Sequence, residues 1–215
     1  MHSRISGAGR AVIAAGFVIA FACAGRADII DDWASVKAPP APALKEVTLD
    51  GKTTALLILD LQKPSCTPQR RARCVPTIGK IKALAERARA AGAMVFYTFA
   101  GSGDPHEIAD PALAPKDGEW IAQRGPDKFL GSVLEQRLKE RGIKTVIVTG
   151  SSAQGVVVGT GSGAAQRGLK VIVPVDAMSS DEAYMEQYAA FHMSKGGPAI
   201  VTDETTLTRT EMIRF

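Results

Sequence analysis

The chain has 215 residues, 46% of them hydrophobic and 22% charged, values of an ordinary globular protein that exclude a disordered polymer and a bundle of membrane helices. Its formal charge of +4 falls to about +1 once Arg4, Arg10 and Arg26 are set aside with the leader described next, so composition gives no support to nucleic-acid binding.

Residues 1–27 do not read as part of a core. Arg4 and Arg10 precede the apolar run Ala11 to Ala22, and small residues follow, which is the pattern of a secretory signal peptide cut within Ala22-Cys23-Ala24 or Gly25-Arg26-Ala27. The run is shorter than the roughly 20 residues of a spanning helix. The sequence therefore predicts an exported protein, periplasmic or secreted, with no membrane attachment after cleavage. Lipidation at Cys23 is disfavoured by the preceding Ala20-Phe21-Ala22. Residues 28–50, with Pro39, Pro40 and Pro42, read as an extended lead-in, and 51–215 as one domain.

Within that domain, Ala55 to Leu59 is a continuous apolar run, as a strand covered on both faces requires. Cys66 and Cys74, the only cysteines beyond the leader, then flank a loop carrying Arg70, Arg71 and Arg73. In an oxidising compartment a disulfide between them is expected, contributing roughly 2.5 kcal/mol for so short a loop. The arginines read as a solvated cluster. Ile78 to Ala91 is an Ala-rich helix stopped by Gly92, and Ala93 to Thr98 a second strand. Ser132 to Arg141 has helical spacing and ends at Gly142, before the strand Thr145 to Val148. A helix over Ala153 to Arg167, a strand over Val171 to Val175, a helix over Asp181 to Ser194 and a short strand Ala199 to Val201 complete the alternation.

Strand and helix alternating in this way predict an α/β fold, a three-layer α/β/α doubly wound parallel sheet. Ligand sites in such sheets lie beyond the carboxyl ends of the strands. Asp60, Phe99 to Gly103, Gly150 to Val156 and Asp176 to Ser180 fall there. Asp60 follows five apolar residues without a break, which places an acid at the mouth of a buried strand.

Leu57-Ile58-Leu59-Asp60-Leu61-Gln62 resembles the first-strand motif of the isochorismatase-like (cysteine hydrolase) superfamily. Phe129-Leu130-Gly131-Ser132-Val133-Leu134, Val148-Thr149-Gly150-Ser151-Ser152-Ala153 and Val173-Pro174-Val175-Asp176-Ala177-Met178-Ser179 are similar to three later family segments, in the same order. The resemblance runs from about Thr53 to Val201 and implies the isochorismatase-like hydrolase fold. It also implies an Asp, Lys and Cys acting together, the acid taking the thiol proton and backbone N–H groups holding the oxyanion.

Here the cysteine position falls on Val156. The lysine position falls on Gln123 or Arg124 by counting back from Phe129, and Lys128 lies close to the helix start. Either Arg124 or Lys128 could pair with Asp60, and the reading as a solvated loop cation suits Lys128 better. Gln62, Phe99, Ser151, Ser152 and Val156 are the expected substrate-contacting residues, and the resemblance implies a cis peptide in the loop of the two serines. Ser152 has no His base, so a contact role is preferred to nucleophilic catalysis. Asp104 and His106 are too few to hold a metal, and no cofactor is expected. His192, near Tyr188 and Phe191, reads as a core or interface histidine.

Two functions follow. One is a hydrolase acting on a small molecule, with Asp60 as acid or base and Arg124 or Lys128 stabilising charge, as the true isochorismatases of the superfamily work without the cysteine. The other is a catalytically inactive relative that binds a small molecule or a partner protein. Homo-oligomerisation, common among related folds, is specified by no stretch of sequence.

Overall fold

The computed structural model describes residues 28–100, 107–122, 125–196 and 202–215. The expected leader 1–27, the loop with Asp104 and His106, the pair Gln123 and Arg124, and the expected strand 199–201 lie outside the described residues.

The chain divides into two units, Met1–Pro40 and Ala41–Phe215. In the first, the described part holds one short helix, α1 (Ile29–Asp32), started by the Asp28 carboxylate accepting from the Ile30 N–H. The second unit begins earlier than residue 51. β1 (Val47–Thr48) lies in the expected lead-in, and Leu44 packs against the core.

β2 (Thr54–Leu59) is buried at every position, the consequence of an apolar run with helices on both faces. α2 (Val75–Ala90) starts earlier than the periodicity predicts, because Pro76 suits a first helical turn. β3 (Met94–Phe99) and the unanticipated β4 (Trp120–Ala122) follow. Next come α3 (Leu134–Glu140) and β5 (Thr145–Ser151). A π-helical turn, Ala153–Val157, replaces the expected start of the next helix, which runs as α4 (Val158–Gln166). β6 (Lys170–Pro174), β7 (Met178–Ser179), α5 (Ala183–Lys195), β8 (Thr205–Thr208) and β9 (Ile213–Arg214) complete the order.

The main sheet has the order β4-β3-β2-β5-β6-β8, with β7 pairing β5, and every pair is parallel. The strand that pairs β6 is Thr205–Thr208, later in the chain than 199–201. β1 and β9 form a separate two-stranded parallel sheet. Alternation along the strands divides the core in two. Leu57, Leu59, Phe96 and Val148 meet α3, α4 and α5 through Leu134, Leu138, Ala164, Ala165, Ala189 and Met193. Leu56, Ile58, Val95 and Tyr97 meet α2 through Ile81, Leu84, Ala85 and Ala88. Each fully buried Leu or Ile contributes about 1.5–3 kcal/mol, so the two layers fix the sheet, and the sheet fixes its carboxyl edge.

Gly150 sits where that edge is tightest. Its φ of 121° is left-handed, and a Cβ there would fall on the Leu59 carbonyl of the neighbouring strand. Only glycine lets β5 continue past β2 at this point. Among the described residues no helix is long and apolar enough to cross a membrane.

Candidate functional site

Asp60 leaves β2 with a φ of 53°, a left-handed conformation that Asp tolerates better than most residues. Its backbone N–H still donates to the Thr98 carbonyl, 3.0 Å away, so the turn begins only after the last sheet bond. The carboxylate then faces the layer of α3 to α5. Thr98 Oγ1 donates to Asp60 Oδ1 at 2.8 Å, and Lys128 Nζ donates to Oδ2 at 2.8 Å.

Lys128 is 0% exposed, which overturns its reading as a solvated loop cation. The segment ahead of α3 carries it inward because that segment is fastened to α4. Thr160 Oγ1 donates to the Pro126 carbonyl at 3.1 Å and accepts from the Lys128 N–H at 3.3 Å. Asp127 Oδ1 accepts from the Phe129 N–H at 2.9 Å. Close approach requires Gly159, where a Cβ would lie 2.8 Å from the Pro126 carbonyl oxygen.

Burial pushes the Asp60 carboxyl above the ordinary carboxylate range. The Lys128 ammonium pulls in the opposite direction by its charge and its hydrogen bond, and the Thr98 hydroxyl adds to that pull. The result is a buried acid whose charge depends on one lysine.

The other expected residues separate. Val156 is buried in the π-helical turn and belongs to the same core layer as Phe129, the neighbour of Lys128. The Ser151–Ser152 peptide is cis, as the resemblance implies. Ser151 follows Gly150, the register partner of Leu59, and its hydroxyl is buried in a hydrogen-bond network. Ser152 is half-buried, and its carbonyl accepts from the Gly155 and Val157 N–H groups, each at 3.3 Å.

Phe99 is not a contact residue in this arrangement. It is fully buried in the layer under α2 and stacks on Tyr97, because strand alternation sends it to the face opposite Thr98. Gln62 fastens a loop: its Oε1 accepts from the Ala100 N–H at 2.7 Å, and its Nε2 donates to the Ala100 carbonyl at 3.0 Å and to Glu107 at 3.1 Å. Asp176 likewise accepts from the N–H and hydroxyl of Thr210, at 2.8 and 2.9 Å. His192 is half-buried and stacks on Tyr188 at 5.2 Å.

The Cys66–Cys74 disulfide is present, with Cα atoms 5.3 Å apart. Replacing both cysteines by serine is expected to lower the unfolding free energy by roughly 2.5 kcal/mol in chemical denaturation. Of the arginines inside the loop, Arg70 and Arg73 are exposed as expected, whereas Arg71 is turned inward. Arg71 reaches Ser151 Oγ at 2.8 Å and pairs with Asp181 at 3.0 Å, while Arg70 pairs with Asp181 and Arg73 with Glu186.

Thr98, Thr160 and Arg71 were not anticipated from sequence. Thr98 had a usable signal, as a hydroxyl set among apolar residues directly opposite Leu59.

A buried acid–ammonium pair at the carboxyl edge of a doubly wound parallel sheet defines a class of α/β proteins with a titratable strand-end site. The Isochorismatase domain matches residues 54–205, and the chain belongs to that family. An uncharacterized isochorismatase family protein of Escherichia coli O157:H7 is 29% identical over 171 residues, 67% of this chain and 89% of that protein. N-carbamoylsarcosine amidase of Arthrobacter sp is 29% identical over 157 residues, 58% of each chain. The crystal structure of a cysteine hydrolase from Pseudomonas syringae pv. phaseolicola 1448A superposes with a TM-score of 0.68 at 20% identity, covering 79% of this chain and 94% of that one.

Proposed function

We propose that the protein is an exported hydrolase that acts on a small-molecule substrate with Asp60 as acid or base and without a cysteine nucleophile. The observation that carries this reading is the Lys128–Asp60 pair, 2.8 Å long and almost fully buried. Taking two charges out of water costs several kcal/mol per ion, and an apolar pair of the same volume commonly stabilises a core better. A pair kept in spite of that cost, at the strand ends where ligands bind, fits a chemical role.

In this reading Asp60 exchanges a proton with substrate or with an attacking water. Lys128 holds the carboxyl in place and balances charge as the bond breaks. Thr98 fixes the carboxyl plane. Val156 occupies the family's nucleophile position and presents only methyl groups, so no acyl-thioester forms. Ser151 and Ser152 line the substrate side, and Gln62 shapes the adjoining loop. The amidase activity in the name of one relative supports hydrolysis as the reaction class. The signal-peptide pattern and the disulfide support export into an oxidising compartment.

The test is a turnover screen of amides and vinyl ethers with and without iodoacetamide. Activity is expected to survive alkylation in full, because both cysteines of the mature chain are in the disulfide. Complete loss on alkylation would overturn the cysteine-free reading. Binding of screened compounds with no turnover of any would favour the catalytically inactive relative.

A further inference from the structure

The loop between β2 and α2 holds a cation that the proposed chemistry does not use. Arg71 has a side chain 11% exposed, against 61% for Arg70 and 46% for Arg73 in the same loop. It is turned inward. Its Nε and Nη2 donate to the two oxygens of Asp181 at 3.0 and 3.2 Å, which sets the plane of the guanidinium. Its Nη1 donates to Ser151 Oγ at 2.8 Å. Ser151 follows Gly150, the register partner of Leu59, so the guanidinium lies at the same carboxyl edge of the sheet from which Asp60 emerges.

Two features separate this arrangement from a structural ion pair. A guanidinium has five N–H donors, and the contacts above use three of them, leaving one on each Nη. The charge is also unbalanced. Among the described residues, Arg70, Arg71 and Arg73 pair with two carboxylates, Asp181 and Glu186, while Lys128 and Asp60 cancel. The loop therefore carries one more cation than its carboxylate partners, and Arg71 is the least exposed of the three arginines. The disulfide and the Asp181 fork hold that arginine in place, so little conformational entropy is lost when a ligand engages it.

We propose that Arg71 is a specificity-determining residue that binds a carboxylate on the substrate through its two remaining N–H groups, while Ser151, whose own O–H donates to the Ser179 carbonyl, holds the guanidinium in place. This rests on Asp60 and Lys128 marking the site, as in the proposed function, but concerns recognition alone. A planar, delocalised guanidinium suits a carboxylate better than a neutral amide of the same shape, which returns one acceptor and a poorly matched N–H.

The experiment measures binding of benzoate and nicotinate against benzamide and nicotinamide by calorimetry, using the full mature chain. The wild type is expected to prefer each acid over its amide by at least about tenfold, the value of one charge-assisted pair. Arg71→Gln should abolish the preference and Arg71→Lys restore part of it. Arg73→Gln, which removes a more exposed cation of the same loop, should leave it intact. Thermal melting of each variant shows whether the loop stays folded. Equal binding of acid and amide by the wild type, no measurable binding of either acid, a preference that survives Arg71→Gln, or an equal loss in Arg73→Gln would each overturn the proposal. An acid preference in a protein without turnover would count against the hydrolase reading alone, and turnover of neutral amides with no acid preference would count against the Arg71 proposal alone.

Discussion

Lys128→Ala is expected to destabilise the protein at neutral pH by about 3–5 kcal/mol, the range seen when one partner of a buried ion pair is removed. Most of that cost comes from the carboxylate left unpaired, and less from the missing hydrogen bond. Asp60 is 6% exposed, and without the ammonium the Thr98 hydroxyl remains, among the described residues, as the donor to its carboxylate. Desolvation already dominates its titration, and removing Lys128 removes the main opposing influence. The folded-state pKa then climbs further above its unfolded value of about 3.9. A carboxyl with a raised folded pKa favours folding while it is protonated, at pH below the unfolded value, and that contribution is lost as the pH rises through the folded pKa.

The variant should therefore be closest to wild type in acid and fall progressively behind as the pH approaches neutrality. Replacing both partners, Lys128→Met with Asp60→Leu, should recover most of the loss, because no charge is then left unpaired. Urea unfolding of the three proteins at pH 4.5 and 7 reads all of this. A single-variant loss below about 1 kcal/mol at pH 7 would place the pair among weak, solvated ones.

The contrast between Asp60 and Lys128 shows what sequence can carry. Asp60 is legible because burial of β2 is written locally, in an unbroken apolar run, and the first polar residue after such a run must stand at the strand mouth. Lys128 is not, because its burial is a tertiary effect. Nothing near Gly125-Pro126-Asp127 announces that Thr160 and Gly159, some thirty residues later on α4, draw the segment against that helix. Counting back along the chain pointed instead to Gln123 or Arg124.

The sheet shows the same division. β2, β3, β5 and β6 are apolar and were expected. β4 was missed, and β8, Thr-Thr-Leu-Thr, lacks the apolar continuity that drew attention to 199–201. Arg71 was hidden for a third reason. A run of arginines in a loop is usually solvated, and only the placement of Asp181 and Ser151 turns one of them inward. The disulfide, in contrast, was legible because Cys66 and Cys74 lie eight positions apart in one short loop.

Asp60→Asn is expected to lower kcat/KM by 100- to 10,000-fold, on the order of what a positioned proton donor or acceptor contributes. The asparagine keeps the shape of the side chain and can still accept from Thr98, so binding should change little and the loss should fall on kcat. The pH profile identifies the role. With Asp60 as acid, its raised pKa extends the protonated form to higher pH than an exposed aspartate would allow, and kcat/KM falls as the pH rises through that value. With Asp60 as base, the same limb rises.

In either case the limb belongs to this carboxyl and should vanish in Asp60→Asn. The variant should also lose the part of the stability profile that weakens as the pH rises through the folded pKa, which ties the kinetic limb to the same group by an independent measurement. An unchanged turnover, or a limb that persists in the variant, would remove Asp60 from the chemistry and leave the Lys128–Asp60 pair as a structural feature of the fold.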